Sequence, residues 1–185
     1  LVEVGVGVMP GWGGCKEMLQ RGFAEARRAG GPMPPIVKAF ETIGLASVAR
    51  SAEEARDLLI LRPGDGITMN RDRLLADAKA RALALVADYA PPEAVEIALP
   101  GESAAIALGM AIDGFRKTGK ATPHDAVVGK LLAGVLSGGK TDIADPLGED
   151  DLLALERSAF VALARNPASI ARIGHMLKTG KPLRN

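Results

Sequence analysis

The sequence predicts a mainly α-helical protein with one or two short strands, and three observations lead to this fold class. The 185-residue chain is rich in Ala and Leu, with 48% apolar residues but only 3% aromatic ones. Such a composition favours helices, because Ala and Leu have high helix propensity. Helical spacing of apolar residues and recognisable helix starts recur along the chain. A chain of this length can bury one hydrophobic core.

The elements are predicted from the spacing of apolar residues and from the Gly and Pro residues that end helices and strands. Residues 1–9 alternate Val with Gly or Glu and predict a short strand, and residues 67–69 are a second strand candidate. A Pro-Gly-Trp-Gly-Gly break at residues 10–14 then leads into a helix. The predicted helices cover residues 15–29, 35–45, 51–59, 71–89, 102–118, 122–136, 149–165 and 166–178.

Two helix starts are especially clear. Ser51 and Glu54 have the spacing of a capping box, in which the hydroxyl accepts the Glu54 amide and the carboxylate reaches back. Thr122 is an expected N-cap, followed by Pro123 at the first helical position and by Asp125 in the first turn. Asn70 can cap the helix that is predicted from residue 71.

Charge and composition exclude several classes of function. The net charge is +1, from 23 basic and 22 acidic residues, so a nucleic-acid partner is not expected. A single cysteine, Cys15, cannot form an internal disulfide, which favours a reducing, cytoplasmic compartment. No apolar run reaches the roughly 18 residues of a membrane span. His124 and His175 lack ligand spacing, so no metal site is predicted, and His124 is expected at the surface.

Glu3 is the candidate catalytic residue. It lies in an apolar, Gly-rich stretch, where its charged form is disfavoured, and this suits proton transfer near neutral pH. The alternative is a carboxylate that faces water at the end of a strand.

The turn that follows, at residues 11–14, can present backbone N–H groups to an anion, or it can simply be a tight turn that requires glycine. The same turn lacks the complete Gly-rich fingerprint of a dinucleotide site. Cys15 follows it and is expected to be a small buried residue.

The first nineteen residues resemble the crotonase (enoyl-CoA hydratase/isomerase) superfamily. In that family a Pro-Glu pair is followed, after three variable residues, by Gly-x-x-Pro-Gly-x-Gly-Gly and a helix. The fixed positions are matched by Glu3, Gly7, Pro10, Gly11, Gly13 and Gly14. Residues 64–74 and 177–185 look like bacterial fusions of a 3-hydroxyacyl-CoA dehydrogenase to a hydratase-like domain. The chain departs from the family pattern at Val2, where Pro is usual.

The resemblance implies a function in fatty-acid β-oxidation. It implies the C-terminal helical portion of a crotonase-like fold, acyl-CoA thioesters as substrates, and NAD in a dehydrogenase domain elsewhere in the parent enzyme. Glu3 would then be a catalytic acid or base. Lys178 and Lys181 would contact the substrate, together with the turn residues Gly11, Trp12 and Gly13.

The chain begins at Leu1 inside an apolar run, and we therefore expect it to be the tail of a larger enzyme, without cofactor or activity of its own. Residues 1–90 are predicted as the end of the crotonase-like core, and residues 91–185 as a C-terminal helical subdomain. The expected oligomeric state is a homo-oligomer, formed through an uncovered apolar face. The alternative function is a helical scaffold or oligomerisation module without catalysis.

Overall fold

A computed structural model describes residues 1–25 and 30–185, and these residues are mainly α-helical, as predicted. Two short 3-10 helices, Glu3–Val6 and Arg71–Arg73, accompany the α-helices. The α-helices of the described residues are α1 (Gly14–Glu25), α2 (Met33–Gly44), α3 (Ala52–Asp57), α4 (Leu74–Leu85), α5 (Glu102–Lys117), α6 (Pro123–Ser137), α7 (Glu149–Ala164) and α8 (Pro167–Thr179).

Most helix boundaries lie within a few residues of the predicted ones. The predicted end of the first helix, at residues 26–29, lies outside the described residues. Thr122 forms the predicted capping box, because its hydroxyl accepts the Asp125 amide at 3.1 Å while the Asp125 carboxylate accepts the Thr122 amide at 2.8 Å. Ser51 also caps as predicted, although the Glu54 carboxylate reaches the amide of Arg50.

The strand predicted at residues 1–9 is wrong. This segment forms the 3-10 helix Glu3–Val6, closed by hydrogen bonds from the Gly5 amide to Val2 and from the Gly7 amide to Val4. A strand needs a neighbour to pair its backbone groups, and the preference of Val for strands depends on that context. Without such a neighbour, the segment satisfies its backbone locally.

The second predicted strand, at residues 67–69, is also wrong. These residues are irregular and exposed or half-exposed. The β-type pairing among the described residues is one isolated antiparallel bridge between Ile97 and Leu147, with N···O distances of 2.9 and 3.0 Å.

Helix α6 lies at the centre of the hydrophobic core. It packs against α1, α2, α5 and α7, and both Leu132 and Leu136 are fully buried. Leu19, Ile36 and Leu163 reach the same core from α1, α2 and α7. The core therefore contains residues from both sides of position 90. The predicted division of the chain into residues 1–90 and residues 91–185 stays a prediction.

Glycine at position 101 is required by a close approach of two backbone segments. Gly101 precedes α5 with φ +61°, and a Cβ atom there would overlap the carbonyl oxygen of Thr141. Its amide donates a hydrogen bond to the carbonyl of Ser137 at the end of α6. This contact holds the start of α5 against the end of α6.

Helix α4 differs from the other long helices, because none of its residues is buried. Leu75 is 82% exposed and Leu83 is 63% exposed. The segments on both sides, at residues 62–73 and 86–96, are also exposed or half-exposed. In the part of the chain that the structure describes, no helix is both long and apolar enough to cross a membrane.

Candidate functional site

The Gly-rich turn before α1 positions the candidate site. Pro10 and Gly13 are buried, whereas Trp12 between them is fully exposed to solvent. Gly13 has φ +80°, and a Cβ atom at this position would lie 3.1 Å from Leu153 of α7. Trp12 itself has φ 59°, a left-handed conformation that non-glycine residues rarely adopt. Such strain is typical of functional segments.

The buried carboxylate of Glu156, from α7, caps the start of α1. Its Oε1 accepts the amide of Lys16 at 2.6 Å, and the backbone amides of Gly13 and Cys15 also favour the charged carboxylate. The first amides of a helix have no partner within the helix and attract negative charge. The sequence left two interpretations of residues 11–14 open, an anion site and a tight turn. Glu156 occupies the Lys16 amide at the helix start, and binding of an anion by the turn itself stays a prediction.

Burial shifts two pKa values beside the turn. Burial raises the pKa of Glu156, although the hydrogen bonds from the backbone amides of Lys16, Cys15 and Gly13 oppose the shift. Burial, together with the nearby carboxylates of Glu156 and Glu3, raises the pKa of the Cys15 thiol well above its usual range. Cys15 is therefore an unreactive buried thiol, which confirms its prediction as a small core residue.

A cleft of about 300 Å³ opens between this turn and α7. Trp12 and Phe160 supply exposed aromatic surface, and Arg157 supplies a cation. Two of the predicted substrate-binding residues, Gly11 and Gly13, also line the cleft. The complete lining is Pro10, Gly11, Trp12, Gly13, Leu153, Glu156, Arg157 and Phe160.

Glu3 lies in the first 3-10 helix and is half-buried. Its Oε2 atom is buried and accepts no hydrogen bond from the described residues. A buried polar atom without a partner is uncommon in native proteins and calls for an explanation. Glu3 does not line the 300 Å³ cleft, and its role as a catalytic acid or base stays a prediction.

The two predicted substrate-binding lysines lie apart from the cleft. Lys178 is in the last turn of α8 and Lys181 follows the Gly180 that ends this helix, and both are exposed. Neither lysine lines the 300 Å³ cleft. Helix α8 does pack against the 3-10 helix that carries Glu3. Contact of Lys178 and Lys181 with a substrate stays a prediction.

A second, wider cavity of about 1000 Å³ lies on another side of α1. At its rim, the ammonium of buried Lys16 pairs with Glu17 at 2.7 Å and with Glu149 at 2.9 Å. Burial lowers the pKa of Lys16, but the hydrogen bonds to the two carboxylates outweigh this effect and raise the pKa overall. Glu17 also pairs with Arg21 and Arg62, so the charges at this rim are largely compensated by one another.

His124 is buried, so its predicted surface position is wrong. Its Nε2 lies 2.9 Å from the Ser169 hydroxyl, and that hydroxyl donates to the carbonyl of Gly7. Gly7 has φ +84°, and a Cβ atom there would lie 3.0 Å from His124 Nε2. Burial and then the charge of Arg172 lower the pKa of His124, although Asp125 opposes the shift.

This network joins the start of α6 to α8. The Arg172 guanidinium is almost fully buried and pairs with Asp125 at 2.8 Å. It also donates to the Thr122 hydroxyl and to the side chain of Asn185. We interpret the network as structural, since its polar groups satisfy one another. Among residues 1–25 and 30–185, no group of three His, Cys, Asp or Glu side chains could hold a metal ion.

Sequence reasoning missed Glu156, yet a signal was present. Leu152, Glu156, Ala159 and Leu163 follow one another at helical spacing on the buried face of α7. A carboxylate on an otherwise apolar stripe needs buried partners. The spacing alone could not identify those partners, because the amides that Glu156 binds lie about 140 positions earlier in the chain.

Comparison with known proteins relates the chain to one enzyme class. No family model matches the chain, and no solved structure matches it. The chain is similar to a Bacillus subtilis (strain 168) protein named "Probable 3-hydroxyacyl-CoA dehydrogenase", with 42% identity over 186 residues. The match covers 100% of this chain but 23% of that relative, so the chain spans less than a quarter of the relative's length.

These findings overturn the assignment to the crotonase superfamily and to a crotonase-like fold. The relative is named as a dehydrogenase, and the described residues contain helices and one isolated bridge but no strand. The motif that suggested the assignment is a short run of glycines and prolines. Here that run serves a different purpose, because it turns the chain into α1 and lets Glu156 reach the helix start.

Proposed function

We propose that this chain is the acyl-CoA-binding helical part of a protein of the 3-hydroxyacyl-CoA dehydrogenase type, acting in fatty-acid metabolism. The named relative supports the enzyme class. The observation that carries the binding role is exposed Trp12, held in a left-handed conformation on the cleft that Arg157 and Phe160 also line. Coenzyme A offers a flat adenine ring for stacking and phosphates for a guanidinium, so it suits this lining.

The reaction itself needs more than the described residues supply. Hydride transfer from a 3-hydroxyacyl thioester requires NAD, and the described residues do not fit this cofactor. A dinucleotide site places its pyrophosphate on free amides at a helix start that follows a strand. Here no strand precedes α1, and Glu156 takes the Lys16 amide. We therefore assign NAD to another part of the proposed larger enzyme, and we expect no NADH formation by this chain alone.

Glu3 is the residue that we propose for proton transfer next to a bound thioester. Its buried Oε2 without a hydrogen-bond partner supports this role, because a buried carboxylate oxygen needs a donor group, which a ligand can supply. We also propose that Lys178 and Lys181 attract the phosphates of coenzyme A from a distance, since both lysines are exposed at the end of α8, the helix that packs against the 3-10 helix that carries Glu3.

Trp12 provides a direct test of binding, because it is the single tryptophan of the chain. Titration with 3-hydroxybutyryl-CoA should shift and quench its fluorescence in a saturable way. Arg157→Gln should weaken binding by about tenfold, the usual scale for a charge-assisted contact to phosphate. Arg165→Gln is the matched control, since Arg165 is exposed at the end of the same helix and lies outside the cleft. No saturable change, or equal weakening by both variants, would overturn the binding proposal.

The proton-transfer role needs a separate readout. In protein labelled with carbon-13 at the Glu carboxyl carbons, the resonance missing from Glu3→Gln belongs to Glu3. We expect this resonance to move when 3-hydroxybutyryl-CoA is added and to stay in place with free coenzyme A. A resonance that stays in place with the saturating ester would reject Glu3 as the proton-transfer group, while leaving the fluorescence result untouched.

The second candidate function is a helical scaffold or oligomerisation module without catalysis. Helix α4 supports it, because this helix has no buried residue although it is rich in Leu and Ala. A scaffold does not need a ligand, so a chain that binds no coenzyme A ester but self-associates would favour this candidate. The predicted homo-oligomer and the cytoplasmic location stay predictions.

A further inference from the structure

The segment that precedes α5 has a backbone edge without a partner along the wider cavity of about 1000 Å³. Ile97 donates its amide to the Leu147 carbonyl at 2.9 Å and accepts the Leu147 amide at 3.0 Å. The peptide bonds on both sides of Ile97 are trans, and in a trans peptide the C=O and the N–H point in opposite directions. The Glu96 carbonyl and the Ala98 amide therefore point away from Leu147.

These two backbone groups form no hydrogen bond with any described residue. Glu96 and Ala98 line the cavity, whereas Leu147 does not. A carbonyl and an amide that flank one residue on the same side are the groups to which a further strand adds, because the backbone of the added strand pairs with both. The cavity thus lies beside a free strand edge that an extended segment can use.

The walls of the cavity also suit the side chains of such a segment. Phe23 of α1 and Leu61, which follows α3, are half-buried on one wall, and Val95 beside the free edge is 50% exposed. Side chains of an extended strand point alternately to opposite faces. An added strand with an apolar residue at every second position would therefore cover apolar surface that now faces solvent.

The charge of the cavity favours a cationic partner. Five carboxylates and three cations line it, and each of the three cations pairs with a carboxylate of the rim. Glu93 and Glu96, on the segment with the free edge, are exposed and form no ion pair with the described residues. The uncompensated charge is therefore negative and lies beside the free backbone groups, where Lys or Arg side chains of an added strand would meet it.

We propose that this cavity is the docking site for an extended peptide of a partner protein in which basic and apolar residues alternate. The peptide adds as a strand to the Glu96 carbonyl and the Ala98 amide. Its main chain then supplies affinity, and its alternating side chains supply specificity. The proposal does not depend on coenzyme A binding, because no residue lines both this cavity and the cleft at Trp12.

The first test is a titration of the full chain into fluorescein-labelled Lys-Val-Lys-Val-Lys-Val-amide, followed by fluorescence anisotropy at low salt. Binding should be saturable, and the matched peptide with Glu in place of Lys should not bind. Glu96→Lys should weaken binding about fivefold, because it replaces an attractive charge at the rim by a repulsive one. Glu41→Lys is the control, since Glu41 is exposed on α2 and lies outside the cavity. No saturable binding at millimolar concentration, or equal weakening by both variants, would overturn the proposal.

The second test separates strand addition from simple charge attraction. Two versions of the peptide carry backbone N-methyl groups, on the three Lys residues in one and on the three Val residues in the other. Alternate N–H groups of a strand point to opposite edges, so one version loses the donors that face the site and the other keeps them. One version should bind about tenfold more weakly or worse, while the other stays close to the parent peptide. Equal affinities of the two versions would reject strand addition.

The third test locates the contact in nitrogen-15-labelled protein by hydrogen exchange of single amides. The Ala98 amide should exchange rapidly in the free chain and at least tenfold more slowly with the Lys-Val peptide. The Ile97 amide is the internal control, because it already pairs with Leu147 and should keep its exchange rate. Protection of Ala98 in the dilute free chain would show that the chain covers this edge itself, and protection that rises with protein concentration would show a second copy there. Either result would overturn the partner peptide.

Discussion

Helices α4 and α6 are both mainly apolar but lie in opposite environments. Nine of the 12 residues of α4 are Ala or Leu, and eight of the 15 residues of α6 are Ala, Val or Leu, yet eight residues of α6 are buried and none of α4 is. Helix α6 packs against four other helices, whereas α4 and the segments on both sides of it are exposed or half-exposed. Apolar composition makes a helix suitable for burial, and the surrounding chain decides whether burial occurs.

The largest expected effect is truncation of a buried leucine. Leu132→Ala removes a fully buried side chain from α6 and should lower the free energy of unfolding by about 2–5 kcal/mol. Leu75→Ala makes the same change on α4, at 82% exposure, and should change it by less than about 0.5 kcal/mol. Urea denaturation of dilute protein measures both values. Similar losses for the two variants would show that α4 is packed in solution.

The next effect concerns the carboxylate that joins α7 to α1. Glu156→Ala leaves the buried amide of Lys16 without its acceptor and should cost about 1–3 kcal/mol of stability. Glu41→Ala is the control, since Glu41 is an exposed residue of α2, and it should cost less than about 0.5 kcal/mol. Urea denaturation again gives the comparison, and equal costs would contradict the capping role of Glu156.

A smaller effect distinguishes the starts of α6 and α4. Thr122→Ala removes the N-cap of α6 and should cost about 1 kcal/mol, because α6 unfolds together with the core. Asn70→Ala removes the hydrogen bond from the Asp72 amide ahead of α4 and should leave the global transition unchanged, since α4 can unfold locally. Thermal denaturation followed by circular dichroism compares the two. A clear loss of stability in the Asn70 variant would show that α4 unfolds with the body.

The smallest effect is a pH dependence that belongs to the first turn of α6. The pKa of His124 is lowered from its ordinary value of 6.5, so below pH 6.5 the unfolded chain binds more protons than the folded one. Stability should therefore decline as the pH falls through 6.5 towards the lowered pKa, and then level off. His124→Gln should flatten this slope in chemical denaturation between pH 7.5 and 5. A slope that is unchanged or reversed in the variant would contradict the buried neutral imidazole.

Part of the candidate site was accessible from the sequence, and part was not. The turn at residues 11–13 was predicted as a binding segment, and the structure brings Gly11, Trp12 and Gly13 together on one cleft. Arg157 and Phe160, on the other wall of this cleft, could not be predicted, because helical spacing does not tell which distant turn a helix will face. The crotonase resemblance misled for a related reason, since a short Gly-Pro pattern specifies a turn and leaves the surrounding fold open.

Local chemistry alone determined the helices of this protein. The hydroxyl of Thr122, the ring of Pro123 and the carboxylate of Asp125 all act within one turn, so their positions in the sequence were sufficient to predict where α6 begins. Tertiary structure alone decided which helices are buried, that residues 1–9 form a 3-10 helix and no strand, and that the Glu156 carboxylate takes the Lys16 amide at the start of α1. These outcomes depend on contacts between groups far apart in the chain, and local propensity carries no information about such contacts.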